Sequence, residues 1–240
     1  MTQPIKLANL RMLELVATQL GDLCKEVVFL GGCTTTFFLT DVATPDARYT
    51  LDVDCIVDVI SLNQYHQFEK RLLQQGFTKS IHDEVICRWR YEDLMLDVMP
   101  TDEKILGFGN RWYKAAIHHA TQHKFSNDIC INLITAPYFL ATKLEAFKTR
   151  GNQDFLASHD FEDIVSIIDG RPELLEEIEQ SEQTLKDYLA HSFRNIYNHR
   201  AFHDALPGHL IQYGKLADDR ATIFTKKVMA IGQVKPKLIR

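Results

Sequence analysis

The hydrophobic pattern of the chain changes near residue 135. Before that point short apolar runs alternate with amphipathic helical patterns, and after it only helical patterns follow. The predicted strands are 27–30, 50–60, 85–91, 94–99 and 129–134. The predicted helices are 6–21, 33–41, 62–75, 111–122, 137–149, 160–168, 172–190 and 219–231, and the predicted loops include 42–49 and 101–110. This pattern predicts an α+β fold, in which a mixed sheet with flanking helices (1–135) precedes a helical C-terminal domain (136–240).

Composition limits the class of protein. The chain has 240 residues, of which 45% are hydrophobic and 25% are charged, as is ordinary for a soluble globular protein. No apolar run approaches the roughly 20 residues of a membrane span, and the N-terminus lacks the apolar core of a signal peptide. The five cysteines show no CxxC spacing, so they predict neither a disulfide framework nor a zinc site. Together these features predict a cytoplasmic protein with no membrane partner.

Charge is distributed unevenly along the chain. Residues 210–240 contain seven basic and two acidic residues, a net charge of +5, whereas the whole chain carries −5. A basic tail on an acidic body is typical of contact with nucleic acid, although a solvated last helix is the simpler interpretation. In that helix we expect Lys226 and Lys227 to face outward. The residues expected to face inward are Ile223, Phe224, Val228 and Met229.

The most informative stretch covers 27–59 and reads VVFLGGCTTTFFLTDVATPDARYTLDVDCIVDV. Its first apolar run ends in Gly31-Gly32, and a glycine turn that opens a helix presents free backbone N–H groups, which suit phosphate. In the later strand Asp52 and Asp54 are two positions apart, so both should project from the same face. Two adjacent carboxylates repel each other unless a cation or a proton lies between them, and a divalent metal is the simplest occupant. The combination predicts phosphoryl or nucleotidyl transfer.

A third carboxylate, Asp97, stands alone in the apolar run LMLDVMP. An uncompensated buried carboxylate is expensive, which indicates a partner, and neighbouring strands should bring Asp97 close to Asp52 and Asp54. Taken alone, Asp97 fits a solvent-facing position at a sheet edge better than a site. Taken with the glycine pair, it completes a set of three carboxylates that could hold two metal ions and activate a hydroxyl.

The order of these motifs resembles a known family. A Gly-Gly pair, an Asp-x-Asp strand and a later strand Asp, in that order, are similar to the DNA polymerase β-like nucleotidyltransferases. The helical segment PYFLATKLEAFKTRGNQDFLASHDFEDIVSIIDGR resembles the abortive-infection AbiEii/AbiGii toxin group of these enzymes. In that group a Lys on an Ala/Leu-rich helix is followed by an Arg and an Asp-x-x-Asp pair. The matching residues here are Lys143, Arg150, Asp160 and Asp163.

The resemblance implies a role for each motif. Asp52, Asp54 and Asp97 would be the catalytic residues and the ligands of Mg²⁺ (or Mn²⁺), with Asp97 as the base for the incoming hydroxyl. The substrate would be an NTP. Its binding residues would be Gly31, Gly32, Thr34, Thr35, Arg48, Lys143, Arg150, Asp160 and Asp163. Cys33 stands where the family has Ser or Thr, so the phosphate-contacting hydroxyl would come from Thr34 or Thr35.

Some of these residues also fit purely structural roles. Arg48 could reach a phosphate or pair with Asp46, and Lys143 could be a helix lysine whose stem covers apolar surface. Asp160 and Asp163 could orient Lys143 or Arg150. They could also supply negative charge at the start of a helix that Ser158 caps.

The sequence therefore predicts a Mg²⁺-dependent nucleotidyltransferase that moves a nucleotide from an NTP to a hydroxyl. By the resemblance, it would act in a toxin–antitoxin or phage-defence setting with a cognate antitoxin, and a tRNA end would be the first acceptor to consider. Other RNA, a small molecule or a protein side chain are alternative acceptors. The second alternative is a catalytically silent nucleotide-binding protein that keeps the fold.

Overall fold

The computed structural model of the protein describes residues 4–210, 214 and 216–234. The chain forms two compact units. The first unit comprises Met1–Phe37 and Asp46–Thr142, and the second unit comprises Phe38–Pro45 and Lys143–Arg240. This division differs from a single boundary at 135, because the segment 38–45 is bound to the second unit. There the backbone N–H groups of Thr40 and Asp41 both donate to the carbonyl oxygen of Gly170, at 3.0 Å each.

A six-stranded mixed sheet forms the centre of the first unit. The strands are β1 (Val27–Leu30), β2 (Val53–Val57), β3 (Arg88–Tyr91), β4 (Leu94–Pro100), β5 (Thr121–Lys124) and β6 (Cys130–Leu133). Their spatial order is β3-β4-β2-β1-β6-β5. β1 is antiparallel to β2 and parallel to β6, β2 is parallel to β4, and β3–β4 and β5–β6 are antiparallel pairs.

The helices of this part of the chain are α1 (Pro4–Leu20), α2 (Thr35–Phe38), α3 (Leu62–Gln74), α4 (Glu103–Leu106), α5 (Tyr113–His118) and α6 (Ala136–Lys148). α3 begins where the Ser61 hydroxyl accepts a hydrogen bond from the Gln64 N–H, at 3.3 Å, a standard N-cap interaction. It ends just before Gly76, as the sequence predicts.

Strand alternation explains how the core forms beside the carboxylates. Every second residue of four strands belongs to one buried apolar cluster, together with residues of α1 and α3. The strand members are Val27, Phe29, Val53, Cys55, Val57, Leu96, Val98, Ile131 and Leu133. Asp54 occupies an intervening position of β2, so its side chain projects from the opposite face of the sheet.

The second unit is helical, which confirms the predicted helical C-terminal half. Its further helices are α7 (His159–Gly170), α8 (Leu174–Glu179), α9 (Gln183–Asn198), α10 (Arg200–Leu210) and α11 (Ala217–Ile231). Aromatic side chains fill its core: the ring centroid of Phe161 lies 5.1 Å from that of Phe147 and 4.9 Å from that of Phe155. No helix among the described residues is long and apolar enough to cross a membrane.

Three element assignments from the sequence are wrong. The predicted helix 111–122 ends at His118, and Thr121–Lys124 instead forms an edge strand against β6. The predicted helix 172–190 is interrupted at Glu182, whose backbone is extended, so two helices form. The predicted strand 50–60 is limited to Val53–Val57, and Asp52 therefore precedes the strand.

The structure differs from the predicted helices and loops at three further places. The segment 33–41 forms a 3-10 turn, Gly32–Thr34, followed by the one-turn α2. The predicted loop 101–110 contains α4, which the Asp102 carboxylate caps. The sequence pattern does not predict α10, because Pro207 and Gly208 lie inside it and both residues oppose helix formation.

Two residues of the basic tail, Lys227 and Ile223, lie in positions that differ from the prediction. The Lys227 ammonium donates to the carbonyl oxygens of Ile168 at 2.7 Å and Asp169 at 3.2 Å, at the C-terminal end of α7. Carbonyls at that end lack intrahelical partners, so a lysine there satisfies them. The outward position expected for Lys227 is therefore wrong. The inward position expected for Ile223 is also wrong, because Ile223 is exposed. Phe224 and Val228 are buried, as predicted. Lys215, Lys235, Lys237 and Arg240 lie outside the described residues.

Candidate active site

Two of the predicted site carboxylates lie side by side on one face of the sheet. Asp54 of β2 and Asp97 of β4 are in register across a parallel strand pair, and residues in register project from the same face. Asp97 is only 6% exposed. Its alternative position, facing solvent at a sheet edge, is excluded because β4 lies between β3 and β2 and the side chain is buried.

An arginine that the sequence interpretation missed, Arg88, binds Asp97 and Asp52. Arg88 of β3 is in register with Asp97. Its Nε and Nη2 donate to Oδ1 and Oδ2 of Asp97, both at 2.8 Å. Nη2 also donates to Oδ2 of Asp52, at 2.6 Å. In the described structure, the cation between Asp52 and Asp97 is therefore a guanidinium.

The hairpin turn contains the signal that could have revealed Arg88. If Glu92-Asp93 is a two-residue turn between antiparallel strands, Tyr91 must pair with Leu94, and Arg88 must pair with Asp97. The observed register is this one. A two-residue turn fixes register over the whole hairpin, so the partner of Asp97 follows from the turn rather than from the strand pattern.

Burial and charge act in opposite directions on Asp97. Burial raises the pKa of its carboxyl group above the ordinary value, and Arg88 opposes this without cancelling it. The hydrogen bonds to Asp97 raise the pKa of the Arg88 guanidinium, which stays charged. The site thus contains a carboxylate with a stronger affinity for a proton than an exposed Asp has.

Gly31 lies against Asp54, and Gly32 lies against Arg48. Gly31 has a φ of +81°, which favours glycine, and a Cβ added there would lie 1.8 Å from Oδ2 of Asp54. A Cβ on Gly32 would lie 2.5 Å from Nη2 of Arg48 and 2.7 Å from Cγ2 of Thr50. The two glycines therefore allow a carboxylate and a guanidinium to approach the backbone of the turn.

The hydroxyls after the glycine pair are buried. The Thr34 hydroxyl donates to the Gly31 carbonyl oxygen at 2.8 Å, while Thr35 is 0% exposed. Among the described residues, the Thr35 hydroxyl is one of the few buried polar groups without a hydrogen-bond partner. Such an unsatisfied group costs free energy unless something binds it.

The donor set suits a hard cation. Carboxylate oxygens are the ligands that Mg²⁺ prefers in proteins, and here Asp54 and Asp97 are in register while Arg88 joins Asp52 to Asp97. In the side-chain arrangement described, no group of three His, Cys, Asp or Glu residues within 4–210, 214 and 216–234 converges as a metal site does. Arg88 lies between two of the three carboxylates instead.

Four other predicted binding residues, Lys143, Arg150, Asp160 and Asp163, form a cluster of ion pairs within the second unit. The Lys143 ammonium lies 3.0 Å from Oδ1 of Asp160 and 2.6 Å from Oδ2 of Asp163. Arg150 donates through Nε and Nη2 to both oxygens of Asp160, at 2.9 Å each. Lys143, Asp160 and Asp163 are all buried, so these ion pairs connect α6 to α7 within the unit.

The start of α7 combines two roles that the sequence alone leaves as alternatives. The Ser158 hydroxyl accepts from the Phe161 N–H at 3.4 Å and caps the helix. Asp160, in the first turn of the helix, binds both Lys143 and Arg150. The Asp-x-x-Asp pair thus orients the lysine and also supplies negative charge near a helix N-terminus.

The ion pairs of Lys143, Arg150 and Asp160 should make the free energy of unfolding depend on pH. Burial would raise the pKa of Asp160, but Arg150 and Lys143 outweigh it and lower the pKa to about 2. Because this pKa lies below that of an Asp in the unfolded chain, the ionised Asp160 stabilises the fold above pH 4, and this stabilisation is lost as pH falls toward 2. We expect Asp160→Asn to reduce the free energy of unfolding by about 2 kcal/mol at pH 7, and about half of that difference should remain at pH 3.

Urea unfolding of the wild type and Asp160→Asn at several pH values measures this difference. Asp187→Asn is the matched control, because Asp187 is exposed on α9 and accepts only a hydrogen bond from Gln183 among the described contacts. A difference between wild type and Asp160→Asn that stays constant from pH 7 to pH 3 would contradict the assignment.

The chain was also compared with known proteins. No model of a known protein family matches it, and no curated protein sequence matches it.

Proposed function

We propose that the first unit catalyses metal-dependent transfer of a nucleotide from an NTP to a hydroxyl, as the resemblance to polymerase β-like nucleotidyltransferases implies. The observation that carries the proposal is the contact between two motifs that are remote in sequence. The carboxylate of Asp54 lies against Gly31, so closely that no other residue type fits there. A phosphate-binding turn and a metal-binding carboxylate must adjoin each other in an enzyme that acts on a nucleoside triphosphate.

Asp52 and Asp54 are the proposed ligands of a divalent ion, Mg²⁺ or Mn²⁺. When bound, the ion would offset triphosphate charge and polarise the phosphorus under attack. Both side chains are partly exposed, as residues that meet a substrate must be. Asp54 is fixed by its position in β2, whereas Asp52 is fixed by its hydrogen bond to Arg88.

Asp97 is the proposed base for the acceptor hydroxyl. Its burial raises its pKa, which favours proton transfer to it. Each of its oxygens accepts one hydrogen bond from Arg88. A carboxylate oxygen has two lone pairs, so each oxygen retains one that can accept the proton. Arg88 thus holds the carboxylate in a fixed orientation.

The phosphates are proposed to bind at the glycine turn. Its backbone N–H groups, the Arg48 guanidinium and the hydroxyl of Thr35 supply positive or donor groups. That Thr34, Lys143, Arg150, Asp160 and Asp163 bind the nucleotide stays a prediction from the resemblance. Within the second unit, Lys143 is engaged by two carboxylates.

One observation supports the rival, a catalytically silent nucleotide-binding protein. Arg88 neutralises part of the charge of Asp52 and Asp97, and a structural ion pair of this kind needs no metal. The rival keeps nucleotide binding at the glycine turn and loses transfer.

Incubation with labelled NTPs and Mg²⁺, with and without total RNA, tests the proposal. Transfer of label to RNA identifies an RNA acceptor such as a tRNA end, and label on the protein or on an added small molecule identifies the alternative acceptors. The toxin–antitoxin setting is tested separately, by whether expression of the chain arrests growth and the product of a neighbouring gene relieves the arrest. Binding of NTP without any transfer, to any acceptor, supports the silent protein.

A further inference from the structure

The side chain of Asn9, on α1, is 0% exposed. Its Nδ2 donates to the carbonyl oxygen of Arg48 at 2.9 Å, and its Oδ1 accepts from the backbone N–H of Thr50 at 3.3 Å. The amide group therefore binds two backbone groups on residues two positions apart, as a residue of an adjacent strand would. An asparagine can do this because its amide contains both a donor and an acceptor.

The segment that Asn9 binds has no regular secondary structure. Residues 45–50 precede β2 and belong to no helix or strand. Backbone N–H and C=O groups that are removed from water need a partner, and Asn9 supplies the partner for one of each. The position of Arg48 relative to the rest of the first unit thus depends on a side chain about 40 residues earlier in the chain.

Arg48 and Thr50 both lie against Gly32. Atoms of both side chains come within 3 Å of the position that a Cβ on Gly32 would occupy. A guanidinium beside a glycine turn is well suited to a phosphate group, because it can donate two parallel hydrogen bonds. The same segment leads directly into Asp52 and Asp54.

We infer that Asn9 is a positioning residue for substrate binding. It holds the 48–50 backbone so that the Arg48 guanidinium meets the triphosphate at the glycine turn, and it does not itself touch the substrate. The inference rests on the proposed nucleotidyltransferase function, and it assigns to α1 a part in phosphate recognition.

The test compares the single variants Asn9→Leu, Arg48→Met and Gln19→Leu and a double variant that combines Asn9→Leu with Arg48→Met. Asn9→Leu removes both hydrogen bonds, and Arg48→Met removes the cation. Gln19→Leu is the matched control, because the Gln19 side chain, also on α1, donates to a backbone carbonyl, that of Gln75 at the end of α3. Calorimetry with inorganic tripolyphosphate and with ATP, in the presence of Mg²⁺, measures the dissociation constants. Circular dichroism establishes that each variant is folded.

We expect Asn9→Leu to weaken the binding of both ligands by about 10-fold. Arg48→Met should weaken it by about 10- to 100-fold, as loss of hydrogen bonds to a charged group implies. Gln19→Leu should bind both as the wild type does. Because Asn9 acts through Arg48, the double variant should bind no more weakly than Arg48→Met alone. If Asn9→Leu does not fold, Asn9→Ser, which cannot make both hydrogen bonds, should show the same effect.

Two results would overturn the inference alone. One is that a folded Asn9 variant binds both ligands as tightly as Gln19→Leu does, while the wild type binds and transfers nucleotide. The other is additive losses in the double variant. If the wild type binds neither tripolyphosphate nor ATP and transfers no nucleotide, then the proposed function fails and the inference fails with it.

Discussion

Asp54→Asn should reduce nucleotide transfer by on the order of 10³-fold, the size expected when a group that stabilises transition-state charge is lost. Asn has the shape of Asp, so it keeps the close approach to Gly31, but it lacks the negative charge that binds a metal. The melting temperature should therefore stay near that of the wild type, and only catalysis and metal-dependent nucleotide binding should fall. Labelled transfer assays and thermal unfolding of the same preparation measure the two effects.

Asp58→Asn is the control for this substitution. Asp58 follows β2 directly, is exposed, and accepts a hydrogen bond from the Thr101 hydroxyl at 2.9 Å. It has the same charge and lies four positions along the chain from Asp54. Transfer by Asp54→Asn at the rate of Asp58→Asn would show that Asp54 is not a metal ligand, and would remove the main argument for the proposed chemistry.

Arg88→Met should lower the free energy of unfolding by about 3–5 kcal/mol at pH 7, because it leaves Asp97 buried and without its bidentate partner. The Arg88 side chain is 17% exposed and that of Asp97 is 9% exposed, so water can replace little of what is lost. The cost of a buried carboxylate disappears when it is protonated. The difference between wild type and variant should therefore shrink as pH falls toward 4.

The sign of this pH dependence follows from the pKa of Asp97. Burial already raises this pKa in the wild type, and removal of Arg88 must raise it further. The folded variant then binds a proton that the unfolded chain releases above about pH 4, so acid stabilises the variant relative to the wild type. Urea unfolding at pH 7, 5 and 4 measures the difference.

Arg90→Met provides the comparison on the same strand. Arg90 binds Asp83 with a bidentate pair, and its side chain is 40% exposed, so its loss should lower the free energy of unfolding far less than the loss of Arg88 does. Equal losses for Arg88→Met and Arg90→Met, with no pH dependence, would mean that the Arg88 pair is not the desolvated interaction that its burial indicates.

The Arg88→Met variant also separates the two functions under consideration. In the enzyme, Arg88→Met disturbs the orientation of the base Asp97, so transfer by the molecules that remain folded should fall well below the wild-type rate. In a silent binding protein, Arg88 is purely structural, and nucleotide affinity should be unchanged in the folded variant. The same preparation thus gives a stability result and a functional result.

The sequence by itself determined those features that depend on neighbours a few residues away. Alternation along 50–60 predicts that Leu51, Val53 and Cys55 face the core, opposite Asp54. The structure confirms this for Val53 and Cys55, whereas Leu51 precedes β2 and is exposed. The α+β class and the helical second half also follow from local periodicity, which reports directly on which face of an element is buried. The sequence predicts a turn at Gly31, and its φ of +81° agrees with that prediction.

Tertiary structure decided which charged groups became partners. Arg88 reaches Asp52 and Asp97 only because the hairpin and the parallel pairing of β2 with β4 set three strands in register. Lys227 binds the end of α7 rather than solvent because α11 lies beside it, and Thr121–Lys124 is a strand because β6 offers it hydrogen bonds. Some of these partners are far apart in the chain, with a sequence separation of 36 residues between Asp52 and Arg88 and of 59 between Ile168 and Lys227. Periodicity records which side of an element is buried, whereas the partner of a buried charge is chosen by the assembled sheet and helices, since only they determine which groups lose water together.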